Sequence, residues 1–174
     1  MRFGTVGLCQ ALAGVFADRG GRPGAHPLLF VGASRRAPRT VAPDRQTAYL
    51  RFRVDPGWTT DEVAAAFRGV EPEPDFPETS MLGLAPRLVR PLRNRLGSTA
   101  VVSNLGILDG DVEWVSMFPA LSGPAAVGIG LATTATRTTL SVRTRAHEFG
   151  RPDADDLLES LVARAHGAPG DGPP

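Results

Sequence analysis

The sequence "TAVVSNLGILDGD", residues 99–111, contains an apolar strand with an unusual end. Its first residues are small or β-branched, which is typical of a buried strand. The strand then runs into Ser103 and Asn104, two residues that usually occupy turns, and Gly106 follows shortly after. Two interpretations are open. The polar residues close a turn, with glycine at a positive φ, or they face a ligand that needs hydrogen-bonding groups and close backbone approach.

Strand patterns flank this stretch on both sides. "LLFVGAS" (28–34) is a short apolar run between breakers, and "QTAYLRFRVD" (46–55) alternates apolar and polar residues. After it, "VEWVSMFPAL" (112–121) is predicted to be a strand. "SGPAAVGIGLATTATRTTLSVRTRAH" (122–147) is predicted to form a β-hairpin.

Helices are predicted within residues 6–18, 56–70, 81–97 and 153–167. The first has apolar residues on most sides, which indicates a buried helix, with Thr5 as its cap. The second begins at Thr59 or Thr60, and Asp153 caps the last. Two prolines break the helix at 81–97.

The order α-β-β-α-α-β-β-β-β-α predicts an α/β (α+β) two-layer sandwich. Its sheet should be mixed and largely antiparallel, with helices packed on it. We expect residues 1–166 to form a single domain and residues 167–174 to be a disordered tail.

Composition excludes several classes of function. The net charge is +1, which argues against nucleic acid as a partner, and all 19 basic residues are arginine, which excludes lysine chemistry. No run reaches the roughly 18 apolar residues of a membrane span. The single cysteine, Cys9, favours a reducing compartment, so we expect a cytoplasmic protein in which this thiol is buried.

Together with the order of the elements, "VVSNLG" (101–106) resembles the C-terminal half of the chloramphenicol-acetyltransferase-like superfamily. This superfamily includes the condensation domains of peptide synthetases and polyketide-associated acyltransferases. The resemblance also uses a small-residue-rich helix, "TVGLCQALAGVFADRG" (5–20), and a strand that runs into arginine, "LLFVGASRR" (28–36). It covers about residues 3–165 and implies the fold of one half of a CoA-dependent acyltransferase, in a setting of secondary metabolism.

The resemblance also implies a place and partners for the site. In the family, the strand end faces the channel where acyl donor and acceptor meet. Ser103, Asn104 and Gly106 would therefore line this channel, and Arg35 would mark the end of a neighbouring strand. Coenzyme A or a phosphopantetheine thioester would bind as substrate, with no cofactor held covalently. A carrier protein is an expected partner.

The catalytic base of the family, a histidine in an HHxxxD motif of the N-terminal half, has no counterpart here. His26, His147 and His166 are isolated in sequence, so the catalytic residue is unknown and no metal site is predicted. Two hypotheses follow. The chain is the acceptor-side half of an acyltransferase, truncated and incomplete without a histidine-bearing half, or it is a non-catalytic binding or self-associating module, such as a homodimer, derived from that fold.

Overall fold

The computed structural model of the chain describes residues 4–19, 26–34, 47–71, 99–108, 110–121 and 127–167. The helices in these ranges are α1 (Thr5–Asp18), α2 (Thr60–Gly69) and α3 (Arg151–Gly167). The strands are β1 (Leu28–Ser34), β2 (Thr47–Arg53), β3 (Ala100–Ile107), β4 (Val127–Thr133) and β5 (Thr138–Thr144). The predicted helix at 81–97, Arg35 and the tail at 168–174 lie outside the described residues.

The described strands form one mixed sheet in the order β2-β1-β3-β4-β5. The two inner pairs, β1–β3 and β3–β4, are parallel, and the two outer pairs, β1–β2 and β4–β5, are antiparallel. The predicted fold class is confirmed, with antiparallel pairing restricted to the two edges. The predicted hairpin is confirmed as β4–β5, closed by a bond from the Thr134 N–H to the Arg137 carbonyl (2.8 Å).

Helices cover one face of the sheet, where every second strand residue is a large apolar one. The buried cluster contains residues of this face from four strands and residues of all three helices that the structure describes. Among its fully buried members are Leu8, Leu12, Leu29, Val63, Val102, Ile129 and Leu161. Burying a side chain of this size contributes about 1.5–3 kcal/mol, so this face supplies most of the stability of the fold.

Helix α1 is buried on several sides, as its sequence predicts. It contacts α2, α3 and β3, and seven of its residues are buried. The predicted cap is wrong, because the helix begins at Thr5 itself, after Gly4, which makes no side-chain capping bond. The Thr5 hydroxyl is used elsewhere, by Asn104 of β3.

The starts of α2 and α3 show how local sequence sets a helix end. Thr59 precedes α2 and forms a full capping box with Glu62, which confirms that prediction. The predicted start of α3 is wrong by a few residues, since the helix begins at Arg151. Asp153 lies inside its first turn, where its carboxylate accepts a hydrogen bond from the Gly150 N–H (2.8 Å).

Residues 112–121, predicted to be a strand, do not pair with any described strand. They form a crossing segment that lies over the face of the sheet opposite the helices. The Ser141 hydroxyl donates to the Met117 carbonyl, and the segment approaches β4 at Gly128 and Gly130. Two glycines on this face of β4 leave room for another main chain, while Pro119 lacks the N–H that a ladder needs.

Candidate functional site

The carboxyl ends of β1, β3 and β4 lie along one edge of the sheet, because these three strands run parallel. In open α/β sheets, ligands bind at this edge, where loops leave the strands in different directions. The stretch Ser103–Gly106, which the sequence singles out, lies at this edge. The fold therefore places the polar end of β3 where a site is expected.

Ser103 lies on the face of β3 that points away from the helices. It belongs to a row of small residues that runs across four paired strands at one register level. The row consists of Gly32, Ser103, Gly130 and Ser141. Ser103 is half-buried, and a Cβ built at Gly32 would lie 3.7 Å from its hydroxyl oxygen. Among the described residues the structure gives this hydroxyl no hydrogen-bond partner, so it is available to a ligand.

Asn104 points to the opposite face, because successive side chains alternate along a strand. Its amide nitrogen donates to the Thr5 hydroxyl (2.9 Å), which joins the end of β3 to the start of α1. Its amide oxygen accepts from the Gly106 N–H (2.8 Å). Both ends of the carboxamide are therefore used within the chain, which favours the structural interpretation of this residue.

Gly106 gives the strand end its shape. Its φ is +75°, a conformation that side chains other than glycine and asparagine rarely adopt. The register between β3 and β4 shifts between Asn104 and Ile107, which marks a β-bulge at this point. A bulge turns the strand and redirects the side chains that follow, so Leu105 and Ile107 become exposed.

The structure thus brings Ser103, Asn104 and Gly106 to one strand end, but only Ser103 faces the open side of the sheet. Arg35 follows the last residue of β1 in sequence and lies outside the described residues. That these four residues line a substrate channel stays a prediction.

An aromatic and cationic cluster lies beside Ser103 on the same face, and the sequence analysis missed it. Tyr49 stacks on Phe30 with ring centroids 4.6 Å apart, and the Arg51 guanidinium lies over the Phe30 ring at 5.3 Å. Tyr49 borders Gly32, the neighbour of Ser103 in the row. Alternation in β2 indicated the outward face of Tyr49 and Arg51. The contact with Phe30, however, depends on the register between β1 and β2.

The described histidines lie away from this row. His26 precedes β1 and has its Nδ1 3.7 Å from a carboxylate oxygen of Asp55. His147 follows β5, with 73% of its side chain exposed and its Nε2 3.3 Å from Glu148. Among the described residues, no group of three or more His, Cys, Asp or Glu side chains could hold a metal ion.

Cys9 is not a nucleophile in the folded state. Burial in α1 raises the pKa of its thiol to about 12, so the reactive thiolate is scarce near neutral pH. The helices of the described residues also include none that is long and apolar enough to cross a membrane.

Comparisons with known proteins identify the fold. No family model matches the sequence, and no curated protein matches it. One similar solved structure is the epimerization domain from the third module of tyrocidine synthetase B. Its TM-score is 0.62 at 12% identity, over 94% of this chain and 41% of that chain. Another is the first condensation domain of the CDA synthetase, with a TM-score of 0.48 at 19% identity, over 92% of this chain and 39% of that chain.

The similarity to the epimerization domain confirms the predicted resemblance at the level of the fold. Most of the chain has the chloramphenicol-acetyltransferase-like fold, with a mixed sheet and helices on one face. The chain spans about two fifths of the length of the solved chains that it matches. In those proteins, the matched part therefore belongs to a longer polypeptide.

Proposed function

We propose that the chain is the acceptor-side half of an acyltransferase or condensation-type enzyme. It would transfer an acyl group from a coenzyme A or carrier-protein thioester to a hydroxyl or an amine. The proposal rests on the fold shared with the epimerization domain over 94% of the chain. The position of Ser103 supports it, since this free hydroxyl lies on the open face at the edge where the parallel strands end.

The reaction requires a base that this chain does not provide beside Ser103 within the described residues. The resemblance assigns the base to a histidine of the other half. That histidine would take the proton of the acceptor hydroxyl or amine, whose electron pair then forms a C–O or C–N bond to the thioester carbonyl carbon. The C–S bond breaks, and the thiolate leaves and takes up a proton.

The contribution of this chain would be to hold and orient the reactants. The Ser103 hydroxyl would donate a hydrogen bond to an oxygen of the acyl group or of the acceptor. Asn104 would act as a positioning residue, since its bonds to Thr5 and Gly106 fix the shape of the strand end. Small residues at Gly32 and Gly130 keep the floor beside Ser103 low.

The test is acyl transfer by the chain together with its histidine-bearing half. The chain is purified with an affinity tag from its native host, and mass spectrometry identifies any co-purified polypeptide that contains HHxxxD. Release of free thiol from acyl-coenzyme A, in the presence of amine and alcohol acceptors, reports turnover. The proposal fails if no such polypeptide binds, or if the complex releases no thiol from acyl-coenzyme A or from an acylated carrier protein.

A pair of variants tests the role of Ser103 within that assay. We expect Ser103→Ala to lower kcat/KM about tenfold to a hundredfold, as loss of one hydrogen bond in a reaction centre does. The melting temperature should not fall. Ser160→Ala is the matched control, because this serine donates to the Asp156 carbonyl within α3 (2.7 Å), outside the small-residue row. Equal activity of both variants would remove Ser103 from the site.

The alternative is a non-catalytic binding or self-associating module with the same fold. The exposed apolar side chains that follow Asn104 favour this alternative, because such surfaces mark interaction sites. It predicts a chain that purifies as a homodimer and releases no thiol from any thioester. The same purification and assay distinguish it from the enzyme half.

A further inference from the structure

The exposed large apolar side chains of the described residues are concentrated in one part of the sequence. Six are exposed, and Val162 of α3 is the one that lies elsewhere. The others form what we call the apolar arm: Leu105, Ile107, Val112, Trp114 and Phe118. Trp114 is 61% exposed, which is high for the largest apolar side chain. Scattered apolar residues on a surface are ordinary, but five within fourteen residues indicate a binding surface.

The arm is anchored to the sheet before, within and after its apolar residues. Near its start, the Leu108 N–H donates to the Thr133 carbonyl (2.8 Å). Farther on, the Met117 carbonyl accepts from Ser141 and lies against Gly130, while Leu121 lies against Gly128. The fold therefore presents the arm in a defined shape, which lowers the entropy lost on binding.

The charge of the arm specifies the surface that it fits. Residues 99–121 contain three acidic side chains and no arginine, in a chain with 19 basic residues in all. Two of them, Asp111 and Glu113, are exposed between the apolar residues. A complementary surface is apolar and bordered by basic side chains. An arm-to-arm contact between two copies would instead bring the same acidic residues together.

We propose that the apolar arm binds the other half of the enzyme, on an apolar surface of that half bordered by arginine or lysine. This inference rests on the proposed function. This chain covers 41% of the epimerization-domain chain, so there the same fold is joined to a larger remainder. A polypeptide equivalent to that remainder is the occupant that both the fold and the charge of the arm fit.

Binding to the purified histidine-bearing polypeptide tests the inference. We expect the double variant Trp114→Asp/Phe118→Asp to bind at least about tenfold more weakly than the wild type, because exposed aromatic anchors dominate interfaces. Glu113→Arg should also weaken binding, and this loss should shrink at high salt. Val162→Asp is the matched control and should bind like the wild type, since it places a charge on an exposed apolar position outside the arm.

Photo-crosslinking locates the contact without a destabilising substitution. The full-length chain with Trp114→p-benzoylphenylalanine is irradiated in the native host, and the cross-linked peptide is sequenced. We expect a peptide of the HHxxxD polypeptide. A cross-link to a second copy, or to residues 72–98 of the same chain, overturns the inference, and so does the absence of any cross-link.

The two proposals fail in different ways. If the double variant binds as tightly as the wild type and the complex still releases thiol, the arm is not the interface and the proposed function remains. If no histidine-bearing polypeptide binds the wild-type chain, both proposals are wrong.

Discussion

The two faces of the sheet use the same strands in opposite ways. Toward the helices, one register level carries Val31, Val102 and Ile129, all fully buried. Displaced by one residue along each strand, the other face carries glycine and serine. Large apolar side chains stabilise the first face by burial. Small ones on the second leave room for the crossing segment and keep the Ser103 hydroxyl accessible, so stability and the candidate site are separated by strand alternation.

The largest effect is expected from emptying the helix-covered face. Ile129→Ala should lower the free energy of unfolding by about 2–5 kcal/mol, because it removes buried methylenes and leaves a cavity. Gly32→Ala is the contrast on the other face, since its new methyl group would meet its nearest atoms at 3.7 Å or more. Urea denaturation measures both values. Similar losses for the two variants would contradict the contrast between the faces.

A smaller loss is expected where the crossing segment lies on the second face. At Gly130 a Cβ would overlap the Met117 carbonyl and lie 2.6 Å from the Ser141 hydroxyl oxygen. Gly130→Ala should therefore cost about 1–3 kcal/mol, as overpacking does. Gly128→Ala meets mainly the Leu121 side chain at 2.9 Å, which can move, and should cost less. Denaturation, with amide exchange at residues 112–121, checks this order.

The strand end at the edge between the two faces should respond to backbone strain alone. Gly106 has a φ of +75° and no atom within 4 Å of its missing Cβ. Gly106→Ala should cost about 1–2 kcal/mol from the left-handed conformation, and Gly106→Asn should cost less, because asparagine tolerates it. If the two variants melted at the same temperature, the positive φ would not be the cause.

The smallest effect is expected at the exposed cap of α2, in the helix layer. Thr59→Ala should cost about 1 kcal/mol, because it removes the side-chain acceptor of the capping box. Thermal denaturation of this variant beside the wild type measures the loss.

The same cap predicts a pH dependence. The backbone N–H of Thr59, and then its hydroxyl, lower the pKa of Glu62 below its usual 4.5. The unfolded state therefore binds a proton more readily, so this contribution is complete above that pKa and disappears as the pH falls through the folded value. Glu62→Gln should lose stability relative to the wild type near about pH 6 and match it near about pH 3. Asp61→Asn removes a charge in the same turn outside the capping box and serves as the control.

The sequence by itself determined the features that depend on near neighbours. Alternation located β2, breakers bounded β1, and the capping residues placed the start of α2 at Thr59. These features follow from local backbone preferences and from the period of burial, which a short window contains. The polar end of β3 was also evident, and the order of the elements was enough to predict the family fold.

Only the tertiary structure decided the features that join distant residues. Asn104 bonds to Thr5, which is 99 positions away, so the threonine predicted to cap α1 anchors a strand instead. Residues 112–121 read as a strand, yet they cross the face of the sheet, because two glycines of β4 admit a main chain there. Which face the helices cover, and hence which polar residue stays accessible, is set by long-range packing that no local pattern contains.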